Sequence, residues 1–202
     1  MTSTKRGRPR SFDREAALRQ ATLLFWRHGY EGTSVADLTA AMGISPPSLY
    51  AAFGDKRTLF DEVVERYGDS FGAFLYQALD RESDPRAGFA RMLDEAAVSY
   101  TAPDRPAGCL IISAAVNCSP RTSDVEQDLR ARRVANVRSF EERLLWARDR
   151  GALAEGTDVR ALAVYFAAVI QGMSQQARDG ATTEELRRTA AYAMSAWPEP
   201  HT

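Results

Sequence analysis

Helix-ending glycines at Gly29, Gly43 and Gly54 confine the first part of the chain to short helices. A glycine just past the last helical residue adopts the left-handed geometry that closes a helix without a side-chain penalty. Ala17, Ala21, Leu24, Phe25 and His28 fall at helical spacing after a cap at Ser11 or Asp13, and Gly29 stops that helix. Thr33 or Ser34 caps a second helix running to Met42, with Ser34 and Asp37 at capping-box spacing. Gly43 turns the chain, and Ser45 caps a third helix with Pro46 and Pro47 in its first turn. Proline is tolerated there because those amides have no acceptor inside the helix. Asp55 opens a fourth helix carrying Leu59, Val63 and Tyr67, and further on Phe71 and Phe74.

The remaining sequence reads as longer helices punctuated by turns. Pro85 opens one with Phe89, Met92, Leu93, Ala96 and Tyr100 on a single face. A proline-bounded break leads to a short apolar segment from Cys109 to Cys118, and Ser123-x-x-Glu126 has the spacing of a capping box for a long helix ending at Gly151. Asp158 starts the next, and Thr183 caps the last, which Pro198 stops. Strand-type alternation is nearly absent and no internal repeat stands out. The fold class is all-α, with about nine helices.

Composition excludes several classes. With 45% hydrophobic and 26% charged residues the chain is an ordinary globular mixture. No apolar run approaches the roughly 20 residues needed to span a bilayer. Met1 to Arg10 has no apolar centre between its charges, so no secretory signal is expected. Two cysteines exclude a disulfide framework and point to a reducing, cytoplasmic setting. The net charge of −1 hides a division: residues 1–60 sum to +4 and the rest to −5. Lys5, Arg6, Arg8 and Arg10 crowd the first ten positions, broken by Gly7 and Pro9. Such an arm builds no packed structure alone, but it can lie along phosphates or enter a minor groove.

Two short helices joined by a glycine turn, the second capped by serine, follow the helix-turn-helix plan. The unpaired amides of the third helix's first turn can face phosphate, and the helix itself fits a major groove. The wording is more specific than the plan. Gly29-Tyr30-Glu31-Gly32-Thr33-Ser34-Val35-Ala36-Asp37-Leu38, then Met42-Gly43-Ile44-Ser45 and Ser48-Leu49-Tyr50-Ala51-Ala52-Phe53-Gly54-Asp55-Lys56, resembles the TetR family of bacterial transcriptional regulators. The resemblance covers roughly residues 10–62. Behind the flexible basic arm over 1–10 it implies a DNA-binding head over 11–54 and a body over 55–202 that dimerises and binds a small effector.

By position, Thr33 or Ser34 resembles the family's phosphate contact at the second helix. Ser45, Pro46, Pro47 and Ser48 occupy the start of its recognition helix, and Tyr50 and Lys56 match its phosphate-contacting Tyr and Lys. Ala51 and Ala52 stand where members often carry a large aromatic or His. Alanine makes no hydrogen bond to a base edge, although its methyl can touch thymine. More of the affinity then falls to Arg6, Arg8 and Arg10. Deleting residues 1–10 is expected to weaken operator binding and to flatten its salt dependence. Unchanged affinity across a salt series would overturn that expectation.

In the body, Leu129, Val137, Phe140 and Leu144 share one helical face, with Arg133 in its middle. A guanidinium there must snorkel, pair internally or meet an anionic ligand, the structural options being the commoner. Tyr100, Asn117 and Asn136 are weaker candidates for polar groups of an effector pocket, Cys109 is a further candidate, and Met92, Phe140, Phe166 and Met173 read as core first and as pocket wall second. On one continuous helix Cys109 and Cys118 would stand about 13.5 Å apart, too far for a disulfide. Cys109 at a helix start would have a lowered thiol pKa. Gly108-Cys109-Leu110 also resembles family members that sense electrophiles or oxidants, so thiol sensing is one alternative function. A scaffold without DNA binding is another, suggested by Ala51 and Ala52.

Two apolar stripes, Leu162/Phe166/Ile170/Met173 and Leu186/Ala190/Ala193/Trp197, each need a partner, and Ala161, Ala168 and Gly172 would let another helix approach. These stripes are the candidate homodimer interface. Catalysis has little to work with: His28 and His201 lack metal-ligand or triad spacing, and no phosphate loop or H-E-x-x-H is present. Neither an enzyme, a metal nor a cofactor is expected. The partners expected are double-stranded operator DNA, a second copy of the chain and an unidentified small effector, with repression as the default sign.

Overall fold

The computed structural model describes residues 12–200, so Arg6, Arg8, Arg10, the Ser11 cap and His201 lie outside the described residues. Among the described residues there are ten α-helices and no strand: α1 (Arg14–His28), α2 (Val35–Met42), α3 (Pro46–Phe53), α4 (Lys56–Asp69), α5 (Phe74–Arg81), α6 (Pro85–Tyr100), α7 (Leu110–Ser113), α8 (Ser123–Asp149), α9 (Val159–Arg178) and α10 (Thr183–Met194). A single 3₁₀ turn at Pro120–Thr122 precedes α8. No helix of the described residues is long and apolar enough to cross a membrane.

Local chemistry starts and stops these helices much as the sequence implies. Asp13 caps α1 by accepting from the amides of Glu15 and Ala16, and Gly29 closes it. Ser34 and Asp37 form a reciprocal capping box on α2, and Gly43 ends that helix in the left-handed region at φ +67°. Ser45 caps α3 and Asp55 caps α4.

Four boundaries differ. The fourth helix is two: α4 ends at Asp69, and the Gly72 amide folds back onto the Tyr67 carbonyl at 2.8 Å before α5 starts. Thr182, not Thr183, caps α10, with Glu185 completing the box. Ser123 is already inside α8, which has no side-chain cap, so the proposed box with Glu126 does not form. Cys109 and Cys118 do not share a helix, because α7 is one turn long; both thiols are free.

Packing forms one continuous core. α1 lies between α2 and α4, and Phe60 of α4 sets its ring 5.0 Å from both Phe25 and Tyr30. Trp26 packs edge-on to Tyr67 at 4.9 Å. In the body, α6 is the central helix, touched by α5, α8, α9 and α10. Its Phe89 meets Phe166 at 4.7 Å, with Phe140 and Trp197 each 5.7 Å away.

Candidate DNA-binding head and effector cavity

The inner side of α3 is spent on folding: Leu49 and Phe53 are buried against the head's core. Its outer side presents Pro46, Pro47, Tyr50 and Ala51, and Tyr50 is 51% exposed. Ser45 accepts from the Ser48 amide at 3.4 Å while the two hydroxyls stand 2.9 Å apart, so the first turn is held in place at the exposed end. Ser34 is exposed at the start of α2, its hydroxyl bonded to Asp37. Thr33 is not available to a phosphate: it is buried, and its hydroxyl donates to the Gly29 carbonyl at 2.7 Å. Of the Thr33/Ser34 pair, the geometry therefore leaves Ser34. Lys56 is half-buried, with its ammonium 4.2 Å above the Tyr30 ring, and burial draws its pKa down.

The head is braced to the body at one short stretch of backbone. The Tyr30 amide donates to the Ala114 carbonyl at 2.8 Å, directly after α7. Gly29 is required beside it, because its φ is +74° and a Cβ would meet the Ala114 oxygen at 2.9 Å. Arg57 of α4 pairs with Asp61 at 2.9 Å and reaches Asp124 and Asp128 of α8. The Glu31 carboxylate accepts from the Thr122 hydroxyl and, at 2.9 Å, from the Ser119 amide. Nothing in the sequence marked these braces, because their partners lie more than 60 positions apart.

Glu31 yields a pH prediction. The hydrogen bonds from Thr122 and then Ser119 stabilise its anion and hold its pKa at about 2, against the usual 4.5. A depressed carboxylate contributes stability that is complete above its unfolded pKa and is lost as pH falls toward the folded one. Melting curves of the parent and Glu31→Gln should therefore converge as pH falls from about 4.5 to about 2. Parallel losses across that window would show that the brace is not titrating.

Behind α7 lies a partly open cavity of about 200 Å³, bordered by α4, α5, α6, α7 and α8. Tyr100 and Cys109 line it, as does Asn136, which accepts a hydrogen bond from Tyr76. Tyr67 lines it too; its spacing marked it only as a core residue. The other pocket candidates fall elsewhere. Met92, Phe166 and Met173 are fully buried in packed core, Phe140 is buried but borders a small second pocket with Cys109, Arg133 and Asn136, and Asn117 is exposed on the loop after α7. Arg133 donates to the Ile111 carbonyl at 3.0 Å and borders the same small second pocket. The Cys109 thiol does not have the lowered pKa of a helix start. It is 5% exposed, and burial pushes its pKa up.

The candidate dimer stripes point inward. Leu162, Phe166, Ile170, Leu186, Ala190, Ala193 and Trp197 are all buried within one chain. Their partner is largely α6, which packs against both α9 and α10. The opposite faces remain open: Ala161, Val164, Tyr165, Ala168 and Gly172 on α9, and Ala191 and Tyr192 on α10, are exposed.

A capped recognition helix on a three-helix head, braced to a helical body that holds a cavity, defines a helix-turn-helix DNA-binding transcriptional regulator. Residues 17–63 match the bacterial regulatory proteins of the tetR family, and residues 88–196 match the tetracyclin repressor-like C-terminal domain. The chain belongs to the TetR family. It is 40% identical over 195 residues to the HTH-type transcriptional repressor ComR of Escherichia coli, covering 96% of this chain and 93% of ComR. The Escherichia coli repressor BdcR is 31% identical over 190 residues, covering 94% and 91%. Among solved structures, a cysteine-substituted variant of the TetR family regulator CifR, complexed with 26-bp double-strand operator DNA, superimposes with a TM-score of 0.90 at 42% identity. That match covers 95% of this chain and all of the other.

Proposed function

We propose that this chain is a cytoplasmic homodimeric repressor that reads a near-palindromic operator through α3 and leaves it when a small molecule fills the body cavity. The observation that carries the DNA-binding part is the division of α3, whose buried side holds the fold while its capped first turn and Tyr50 face solvent. On this reading Ser34, Ser45, Ser48, Tyr50 and Lys56 contact phosphates, Pro46 and Pro47 enter the groove, and Arg6, Arg8 and Arg10 supply further charge. Residues 1–10, 11–54 and 55–202 act as arm, head and body, with α4 packed against both the head and α7. The names of ComR and BdcR support the repressor sign, since both are repressors.

The exposed faces of α9 and α10 support the dimer better than the buried stripes do. Small residues at Ala161, Ala168 and Gly172 let a second helix approach closely, flanked by Tyr165 and by Tyr192, which is 79% exposed. Neither alternative is favoured. A thiol sensor is helped by an exposed, readily ionised sulfur, whereas Cys109 is 5% exposed and burial pushes its pKa up. A scaffold would not need an exposed, capped α3.

The test is fluorescence anisotropy with the duplex upstream of the chain's own gene, paired with sedimentation at micromolar protein. Tight, salt-sensitive binding by a dimer is expected. Equal affinity for unrelated duplexes, or a monomer in the centrifuge, would overturn the proposal.

A further inference from the structure

We propose that the cavity beside α7 takes an uncharged, mostly apolar molecule the size of a substituted benzene, which offers one carbonyl-type acceptor to the Tyr100 hydroxyl. This rests on the reading that the body binds an effector, and it names the chemistry of that effector.

Size comes first. The cavity holds about 200 Å³, and an apolar cavity of about 150 Å³ accommodates benzene. One ring with a short substituent therefore fits.

The polar requirement comes from one atom. Tyr100 is 1% exposed, its ring packs edge-on to Phe74, and its hydroxyl has no hydrogen-bond partner. A buried hydroxyl left unpaired keeps the full penalty of its lost hydration, which a ligand acceptor would relieve. Burial pushes the Tyr100 pKa well up, so the group stays protonated and can donate. Several neighbouring polar groups are already engaged. Tyr76 donates to Asn136, the Cys109 amide donates to the Ser174 hydroxyl at 2.9 Å, and Arg133 is bonded to Ile111. Among the lining residues the Tyr100 hydroxyl is thus the fully buried donor left without a partner.

Charge is excluded by the same inventory. No carboxylate is among the lining residues, so a buried ammonium would lack a counter-charge. Arg132, the cation of the lining, is exposed. A carboxylate bound at Tyr100 would be taken out of water, and the half-buried cation nearby, Arg133, is bonded to the Ile111 carbonyl. The remaining walls, Phe74, Leu75 and Ile111, suit an apolar body.

Calorimetric titration of the full chain tests this with three probes of similar shape: acetophenone, its hydrocarbon counterpart isopropylbenzene, and benzoate. Acetophenone is expected to bind about tenfold more tightly than isopropylbenzene, with benzoate weakest. In Tyr100→Phe the preference for the ketone should vanish. The unliganded variant should melt at or above the parent's temperature, which also shows that it folds. Benzoate binding as tightly as the ketone, a ketone preference that survives Tyr100→Phe, or no ketone binding would each overturn the proposal. Operator affinity, measured on the same preparations without and with ketone, separates the two readings. Normal operator binding without ketone binding sinks this inference alone. Ketone binding that leaves operator affinity unchanged sinks only the release step.

Discussion

A Pro47→Glu chain is expected to melt as the parent does and to bind operator DNA about 100-fold more weakly. Pro47 is exposed in the first turn of α3, away from Leu49 and Phe53, so its side chain is not part of the core. Two folding effects oppose each other. Losing proline frees the unfolded chain, at a cost of about 0.4–1 kcal/mol. An anion at a helix N-terminus gains about 0.3–1 kcal/mol from the helix dipole. Folding is therefore nearly unchanged. DNA binding is not, because a carboxylate held against the groove edge faces phosphates, and juxtaposed like charges cost several kcal/mol. Anisotropy at two salt concentrations checks this, and added salt should narrow the gap because it screens the repulsion. Full operator affinity in the variant would mean that α3 does not face the DNA.

Phe166→Ala should be the most destabilising of the substitutions considered, costing about 3–5 kcal/mol. The ring is fully buried, 4.7 Å from Phe89, 5.3 Å from Tyr165 and 6.2 Å from Trp197. Removing it opens a void where α6, α9 and the segment after α10 meet. Domains are stable by only about 5–15 kcal/mol in total, so the melting temperature should fall by about 10 °C. The same substitution separates three roles. A core residue lowers stability and leaves the folded protein's self-association and operator affinity intact. A pocket wall would change ligand affinity, and an interface residue would weaken the dimer. Urea unfolding with sedimentation of the folded variant distinguishes them. A loss below about 1 kcal/mol accompanied by dimer dissociation would contradict the core assignment.

Phe166 also shows where reading the sequence stopped. The stripe Leu162/Phe166/Ile170 was legible as a surface that needs a partner, but periodicity does not say which helix supplies it. Here α6 does, and the proposed dimer interface moves to the opposite faces. Head helices were legible to within a residue or two because Ser34, Ser45, Asp55, Gly29 and Gly43 act through their nearest neighbours. Tyr67, Phe71 and Phe74 misled for an instructive reason. They keep helical spacing across the α4–α5 break, and all three do pack into the core or against it. Spacing reports which side is buried, not whether the helix is continuous. The exchange of Thr33 for Ser34 was illegible, since adjacent hydroxyls differ only in where the backbone aims them. The unpaired hydroxyl of Tyr100 depends on what every neighbouring side chain does with its own hydrogen bonds.

Ile111 on the cavity wall and Ala114 under the Tyr30 amide are separated by a single turn of chain, α7 and its end. Under the proposed effector release, that closeness implies a reciprocal exchange between the two sites. If occupancy weakens DNA binding by about 100-fold, bound DNA weakens occupancy by the same factor, about 2.7 kcal/mol in each direction. Operator-bound protein is then the poorer detector of the two populations. The free pool fills first, and the operator empties because the supply of competent protein around it has been drawn down.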